Sequence, residues 1–427
     1  MTKRSYPDGW AARSEVRGIT LAPPATRGTS TSTTAIPTGT TRTTTVGAAR
    51  SAPVSVTSPV SLRDLHIAWR EARRGKKPSA DQAAFDADWP EHLIELEAEL
   101  NALTWSPAPP TCFIAKAPKA REIHAPAFID RVVHHYLVPR LETIYEPVFI
   151  HDSFSNRKGK GTHAAVDRLQ EFVREVHSGE GGGWFLQLDI RNFFNSIHRP
   201  TLWELLRDRM ERHGFALPIR HTVHALLRHS PLHHGAHYAC RPEERPLVPV
   251  HKRLENAAPG CGIAIGNLSS QFFANVYLDR LDQFVKHQLK AKRYVRFVDD
   301  FVLVHHDRGQ LATWLAEIEH FLAETLRLEL KPDRRLSPLT GGCDFLGYVI
   351  FPTHRLVRRR VIAHCRSKLA AWERRHITAE RRPTRAGIDS LRSTWSSYLG
   401  HFKHSTDRQI IPRLLGRFPW MPNELAR

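Results

Sequence analysis

The stretch Tyr294-Val295-Arg296-Phe297-Val298-Asp299-Asp300-Phe301-Val302-Leu303-Val304 sets two β-forming runs on either side of two adjacent carboxylates. Val, Phe and Tyr favour a pleated strand and Asp interrupts one, so the pattern predicts a hairpin with Asp299-Asp300 at its tip. Taken alone, it is equally an Asp-Asp turn between two ordinary strands. The rest of the chain decides what the acids are for.

With 62 Lys and Arg against 43 Asp and Glu, the 427-residue chain carries +19, an excess that points to a polyanionic partner. Residues 1–55 hold seven basic and two acidic residues, +5 of the total, so +14 belongs to the remainder. The length accommodates two or three domains and a sizeable core. Cys112, Cys240, Cys261, Cys343 and Cys365 follow no CxxC spacing and read as free thiols of a reducing compartment. No apolar run approaches bilayer length, so no membrane contact is expected, and the expected location is the cytoplasm. The Ser/Thr/Arg-rich, acid-poor N-terminus leaves an organellar transit peptide as the other reading.

Residues 1–57, dominated by Thr, Ser, Ala, Pro and Gly, bury too little apolar surface to offset their ordering entropy and read as a disordered tail. Residues 58–108 read as a helical extension of two helices. Leu62, Leu65, Ala68 and Trp69 give one apolar face and Leu93, Leu96 and Leu100 another, around Arg73-Arg74-Gly75-Lys76-Lys77. From Phe113 the chain turns strand-like and basic, with Lys116, Lys119 and Arg121 close together. Such cations grip phosphates, Arg through a bidentate fork, or simply face solvent. Asp130–Leu141 and Ala164–Val176 are helix candidates. Between them Ser155-Asn156-Arg157-Lys158-Gly159-Lys160-Gly161-Thr162 is a basic turn without Walker A spacing, and Arg157, Lys158 and Lys160 suit a nucleic-acid backbone.

Gly181-Gly182-Gly183 leads into a strand over Trp184–Leu188 that ends at Asp189, with Phe193 and Phe194 close behind. His221, His224, His229, His233, His234, His237 and Cys240 match no structural zinc pattern, and read as contacts to phosphate or solvent with a metal as the lesser alternative. Gly262 to Gln271 is a Gly-punctuated loop opening a helix, whose Phe273, Tyr277, Leu281, Phe284 and Val285 recur as a core face. A helix over Leu311–Leu326 and a strand over Phe345–Ile350 follow the paired acids. From Arg355 the chain is helical and basic, with Arg358, Arg359 and Arg360 ahead of Trp372, Trp395 and Tyr398, a pattern suited to a surface along a duplex backbone.

In this order the features resemble reverse transcriptases. Phe297-Val298-Asp299-Asp300 resembles their Tyr-x-Asp-Asp box with Phe for Tyr, and Leu188-Asp189-Ile190-Arg191-Asn192-Phe193-Phe194 is similar to their first catalytic motif. Ile265-Gly266-Asn267-Leu268-Ser269-Ser270-Gln271 ends in Ser-Gln where most of the family has Ser-Pro. That variant resembles the loop of diversity-generating retroelements, as do Arg121-Glu122-Ile123-His124-Ala125-Pro126, Asp130-Arg131-Val132-Val133-His134-His135 and Phe345-Leu346-Gly347-Tyr348. The resemblance implies an α+β right-hand polymerase fold, with helical fingers and an antiparallel-sheet palm over 109–353 and a basic helical thumb over 354–427. It implies copying of an RNA template into cDNA with errors at adenines. The implied partners are the RNA template, a DNA or RNA primer, dNTPs and a small basic accessory protein. The rival readings are an intron-type, retron-type or antiphage-defence reverse transcriptase, and a non-catalytic, maturase-like RNA-binding protein.

Adding a nucleotide to a primer is an in-line phosphoryl transfer that two Mg²⁺ ions about 3.5–4 Å apart can promote, with Mn²⁺ able to substitute. Mg²⁺ takes hard oxygen ligands. By resemblance, Asp189 and Asp299 bridge the ions, Asp300 stands beside them and the Ile190 carbonyl adds a ligand. Phe194 matches the steric gate against a ribose 2′-hydroxyl. Lys116 or Lys119 and Arg121 neutralise the incoming triphosphate, and Gln271, in the loop under the templating base, is tied to relaxed fidelity.

Overall fold

The computed structural model describes residues 56–75, 77–116, 119–377 and 383–426. The expected N-terminal tail falls, up to residue 55, outside the described residues. Among the described residues ten strands form: Thr111–Ala115 (β1), Arg121–Ala125 (β2), Trp184–Asp189 (β3), His237–Tyr238 (β4), Tyr294–Phe297 (β5), Asp300–His305 (β6), Arg335–Pro338 (β7), Cys343–Phe345 (β8), Tyr348–Ile350 (β9) and Arg355–Val357 (β10). They make three sheets, ordered β2-β1-β4, β10-β9-β8 and β5-β6-β3-β7. The expected mixed α+β class is observed. The chain's described residues divide into two compact units, one from residues 56–148 and 194–277, the other from 149–193 and 278–426.

The first unit is mainly helical. Helix Leu62–Ala72 starts where the Ser61 hydroxyl accepts from the Asp64 N–H, and it buries Leu65, Ala68, Trp69 and Ala72. Three helices form where two were expected, because the chain turns at Asp88 and starts again at Trp89-Pro90, giving Ala80–Ala87 and Trp89–Asn101. From the long helix Phe128–Tyr145, buried Arg140 reaches Asp64 at 2.8 Å and ties the extension to the unit's body. The basic segment is a hairpin, with Thr111 opposite Ala125, and β4 runs parallel to β1 on its other side. Gly266 stands at φ +129°, where a Cβ would lie 2.8 Å from the His124 carbonyl oxygen. Only glycine lets the 262–267 loop lie against β2, and the His124 N–H donates to Ile265 O at 2.8 Å there.

In the second unit every pair in the β5-β6-β3-β7 sheet is antiparallel. Phe185, Val295, Val302 and Val304 share one core with helix Thr162–Gly179 and strands β8 to β10. Leu186, Leu188, Phe301 and Leu303, pointing the other way along β3 and β6, are buried as well, which is why both strands read as nearly unbroken apolar runs. The single strand expected over Phe345–Ile350 is a hairpin. Phe345 pairs with Tyr348 across Leu346 and Gly347, at φ +49° and +91°, the positive pair that a two-residue type I′ turn requires.

The C-terminal helices Arg359–His376, Arg385–Phe402 and Ile410–Arg417 pack into the same core. Trp372 and Trp395, read from the sequence as surface aromatics, are only 9% and 8% exposed, and the Trp372 indole donates to Gly387 O at 2.9 Å. Helix-on-helix packing takes these rings, leaving the arginines outside. No helix among the described residues is long and apolar enough to cross a membrane.

Candidate active site

Strand pairing brings the acids together. Asp189, the last residue of β3, lies directly opposite Asp300, the first residue of β6. Phe297 also pairs with Asp300, so the two-residue tip is Val298-Asp299 rather than Asp299-Asp300, because the ladder captures Asp300. The Ile190 N–H donates to Asp299 O at 3.2 Å. Val298 sits at φ +57°, a left-handed conformation that costs a β-branched residue on the order of 1–3 kcal/mol.

A buried network holds that turn. The Arg296 Nη1 donates to Val298 O at 3.0 Å, while Nε and Nη2 donate to the two Asp282 carboxylate oxygens at 2.7 and 2.6 Å. The Tyr294 hydroxyl also donates to Asp282, at 2.8 Å. Local sequence offers a sign of this: a charged residue inside an otherwise apolar strand has to find a buried partner.

The carboxylates are electrostatically distinct. Burial pushes the Asp300 carboxyl up to about 7; the Gln187 amide, donating to it at 3.2 Å, opposes the rise, and the charges of Asp189 and Asp299 add to it. Asp189 Oδ2 pairs with the Lys331 ammonium, and the Lys331 N–H donates to Asp189 O at 2.8 Å. Asp189 Oδ1 is buried with no hydrogen-bond partner. The donor set fits Mg²⁺: three carboxylates and the Ile190 carbonyl are all hard oxygens, and a cation would satisfy the orphaned Oδ1 and relieve the repulsion. The carboxylates do not crowd onto one point. Among the described residues the one trio of ligand atoms within 4.8 Å of each other is Cys112, Glu122 and His124.

The other expected site residues divide between the units. Asp189, Ile190, Asp299 and Asp300 belong to the second, with Arg157, Lys158, Lys160, Arg358, Arg359 and Arg360; Lys116, Lys119, Arg121, Phe194 and Gln271 belong to the first. Phe193 is core, whereas Phe194 is half-buried and its carbonyl accepts from Ile263 N–H at 2.9 Å. Lys116 pairs with Glu244 at 2.8 Å, while Lys119 and Arg121 are exposed. Gln271 is not in the loop: helix Leu268–Gln283 has begun, and the Gln271 N–H donates to Asn267 O at 3.4 Å. Arg157 turns inward onto Ile150 O and Ser153 O, and Lys160 onto His151 O. Arg358 pairs with Asp344, and Arg359 and Arg360 are exposed. His221, His224, His229 and His234 line a small cavity with Ser106 and Arg228, where burial lowers His229 to about 4.

A family model described as reverse transcriptase (RNA-dependent DNA polymerase) matches residues 114–350. Protein YkfC of Escherichia coli is 24% identical over 276 residues, covering 57% of this chain and 64% of that protein. The group II intron-encoded protein LtrA of Lactococcus lactis is 26% identical over 303 residues, covering 61% of this chain and 50% of LtrA. The chain thus spans less than two thirds of the length of these curated relatives. A solved apo telomerase from Candida tropicalis shares 10% identity at a TM-score of 0.43, over 58% of this chain and 55% of that one.

Proposed function

This chain belongs to the reverse transcriptase family of RNA-dependent DNA polymerases, and on that premise we propose that it copies an RNA template into DNA at Asp189, Asp299 and Asp300. The observation carrying the reading is the register that sets Asp189 opposite Asp300 with Asp299 next to it in a strained turn. Asp189 and Asp299, with the Ile190 carbonyl, would hold two Mg²⁺ ions, and Asp300 would stand beside them. Bound there, the ions would activate the primer 3′-hydroxyl and neutralise the triphosphate. Asp189 has to exchange its Lys331 partner to take part. Arg121, with Lys116 or Lys119, would pair with the triphosphate, and Phe194 would exclude a 2′-hydroxyl. Residues 109–353 would make the fingers and palm and residues 354–427 the thumb. Arg157, Lys158 and Lys160 and Arg358, Arg359 and Arg360 would contact the nucleic-acid backbone.

Within the family, the Ser270-Gln271 ending of the loop supports a diversity-generating enzyme that misincorporates at adenines and works with a small basic accessory protein. The 26% identity to LtrA favours an intron-type enzyme as the second reading. Primer extension on an RNA template with dNTPs and Mg²⁺ tests the activity, and dNTP incorporation that persists in Asp299→Ala refutes the site. For the subgroup, Gln271→Pro should lower misincorporation opposite adenine; an unchanged error spectrum favours the intron-type reading.

A further inference from the structure

Three ligand-type side chains converge in the first unit, outside everything assigned above. Cys112 projects from β1, and Glu122 and His124 from the paired strand β2, where alternation sends positions 122 and 124 to one face. All three are buried, Cys112 to 1%, Glu122 to 8% and His124 to 2% exposure. Glu122 divides its oxygens: Oε2 accepts from the Leu254 N–H at 2.8 Å, and Oε1 accepts from the Cys112 thiol at 3.7 Å and lies 3.7 Å from His124 Nε2.

A hydrogen-bonded triad does not account for this arrangement. At 3.7 Å the imidazole and carboxylate are too far apart for a hydrogen bond, and neither His124 ring nitrogen has a hydrogen-bond partner. Leaving such a buried group unsatisfied costs about 1–3 kcal/mol. Ligands held by one tetrahedral ion at ~2.0–2.3 Å lie about 3.3–3.6 Å from one another, close to the spacing observed. Thiolate, imidazole and a single carboxylate oxygen form a donor set for zinc rather than magnesium.

We infer that Cys112, Glu122 and His124 bind a zinc ion. The ion staples β1 to β2, and Glu122, accepting from the Leu254 N–H, ties the segment around Leu254 to the hairpin that carries Arg121.

Titrating the full chain with Co²⁺ tests this without reference to polymerase activity. One equivalent should give a sulfur-to-cobalt charge-transfer band that Zn²⁺ abolishes and that is lost in Cys112→Ser and weakened at least ~10-fold in affinity in Glu122→Gln. Absence of the band in the folded wild type, or its survival in Cys112→Ser, overturns the site. Should Cys112→Ser fail to fold, zinc-edge X-ray absorption on the zinc-loaded wild type decides: one sulfur with nitrogen and oxygen is expected. A shell without sulfur overturns the site.

Discussion

Arg296 and Asp282 form a bidentate ion pair with side chains 1% and 0% exposed. Burial works against the Arg296 charge, yet the Asp282 carboxylate more than offsets it and holds the guanidinium pKa up. Burial, and then the same carboxylate, raise the Tyr294 hydroxyl far above its ordinary range. One guanidinium nitrogen is left for Val298 O, so the pair anchors the turn that presents Asp299.

Breaking the pair from one side strands a buried cation. Asp282→Ala should therefore lower unfolding stability by about 3–5 kcal/mol, measured by denaturant titration. A loss below about 1 kcal/mol would contradict the account of the turn.

Asp300 makes metal-free stability depend on pH with an unusual sign. Its carboxyl titrates near 7 in the folded chain against 3.8 ordinarily, so between those values the folded chain holds a proton that the unfolded chain has released. Stability without metal should fall as pH rises through that window, and Asp300→Asn should flatten the slope. Melting temperatures in chelator decide it; parallel wild-type and variant profiles would rule it out.

Lys331 competes for Asp189. Lys331→Met should shift half-saturation by Mg²⁺ in primer extension about 5-fold lower, the equivalent of the ~1 kcal/mol that a partly exposed ion pair contributes. A shift to higher Mg²⁺ would mean that the ammonium assists the ion instead.

Phe194, half-buried beside the core residue Phe193, is the candidate sugar gate. Phe194→Ala should raise rNTP over dNTP incorporation by up to ~10²-fold, the scale on which a snug apolar wall rejects an added hydroxyl. Equal discrimination in wild type and variant would return the ring to a packing role.

The acids, the strands carrying them and most helices were legible because each rests on local chemistry: apolar alternation, caps and breakers within a few residues. The register of Asp189 with Asp300 was not, since it depends on pairing between segments more than a hundred residues apart. Trp372 and Trp395 show a second limit. An aromatic at helical spacing looks the same whether it meets nucleic acid or another helix, and the C-terminal helices decide for the core. Gln271 shows a third, because a helix start at Leu268 depends on a backbone bond to Asn267 that no residue type there announces. Cys112, Glu122 and His124 form no CxxC or clustered-histidine spacing, because a hairpin, not a linear spacing, unites them. Lys331 left no local signal.

The separation of β3 from β6 also has a meaning during synthesis. Gln187 and Asp300, joined in the finished sheet, are 113 positions apart, so at ribosomal speed roughly 6–20 s pass between the emergence of the two strands. Through that interval β3 is a nascent apolar strand with neither neighbour yet made, while residues 194–277 of the other unit are translated. A central strand of the sheet that carries Asp189 is therefore exposed to chaperone capture or aggregation during that interval.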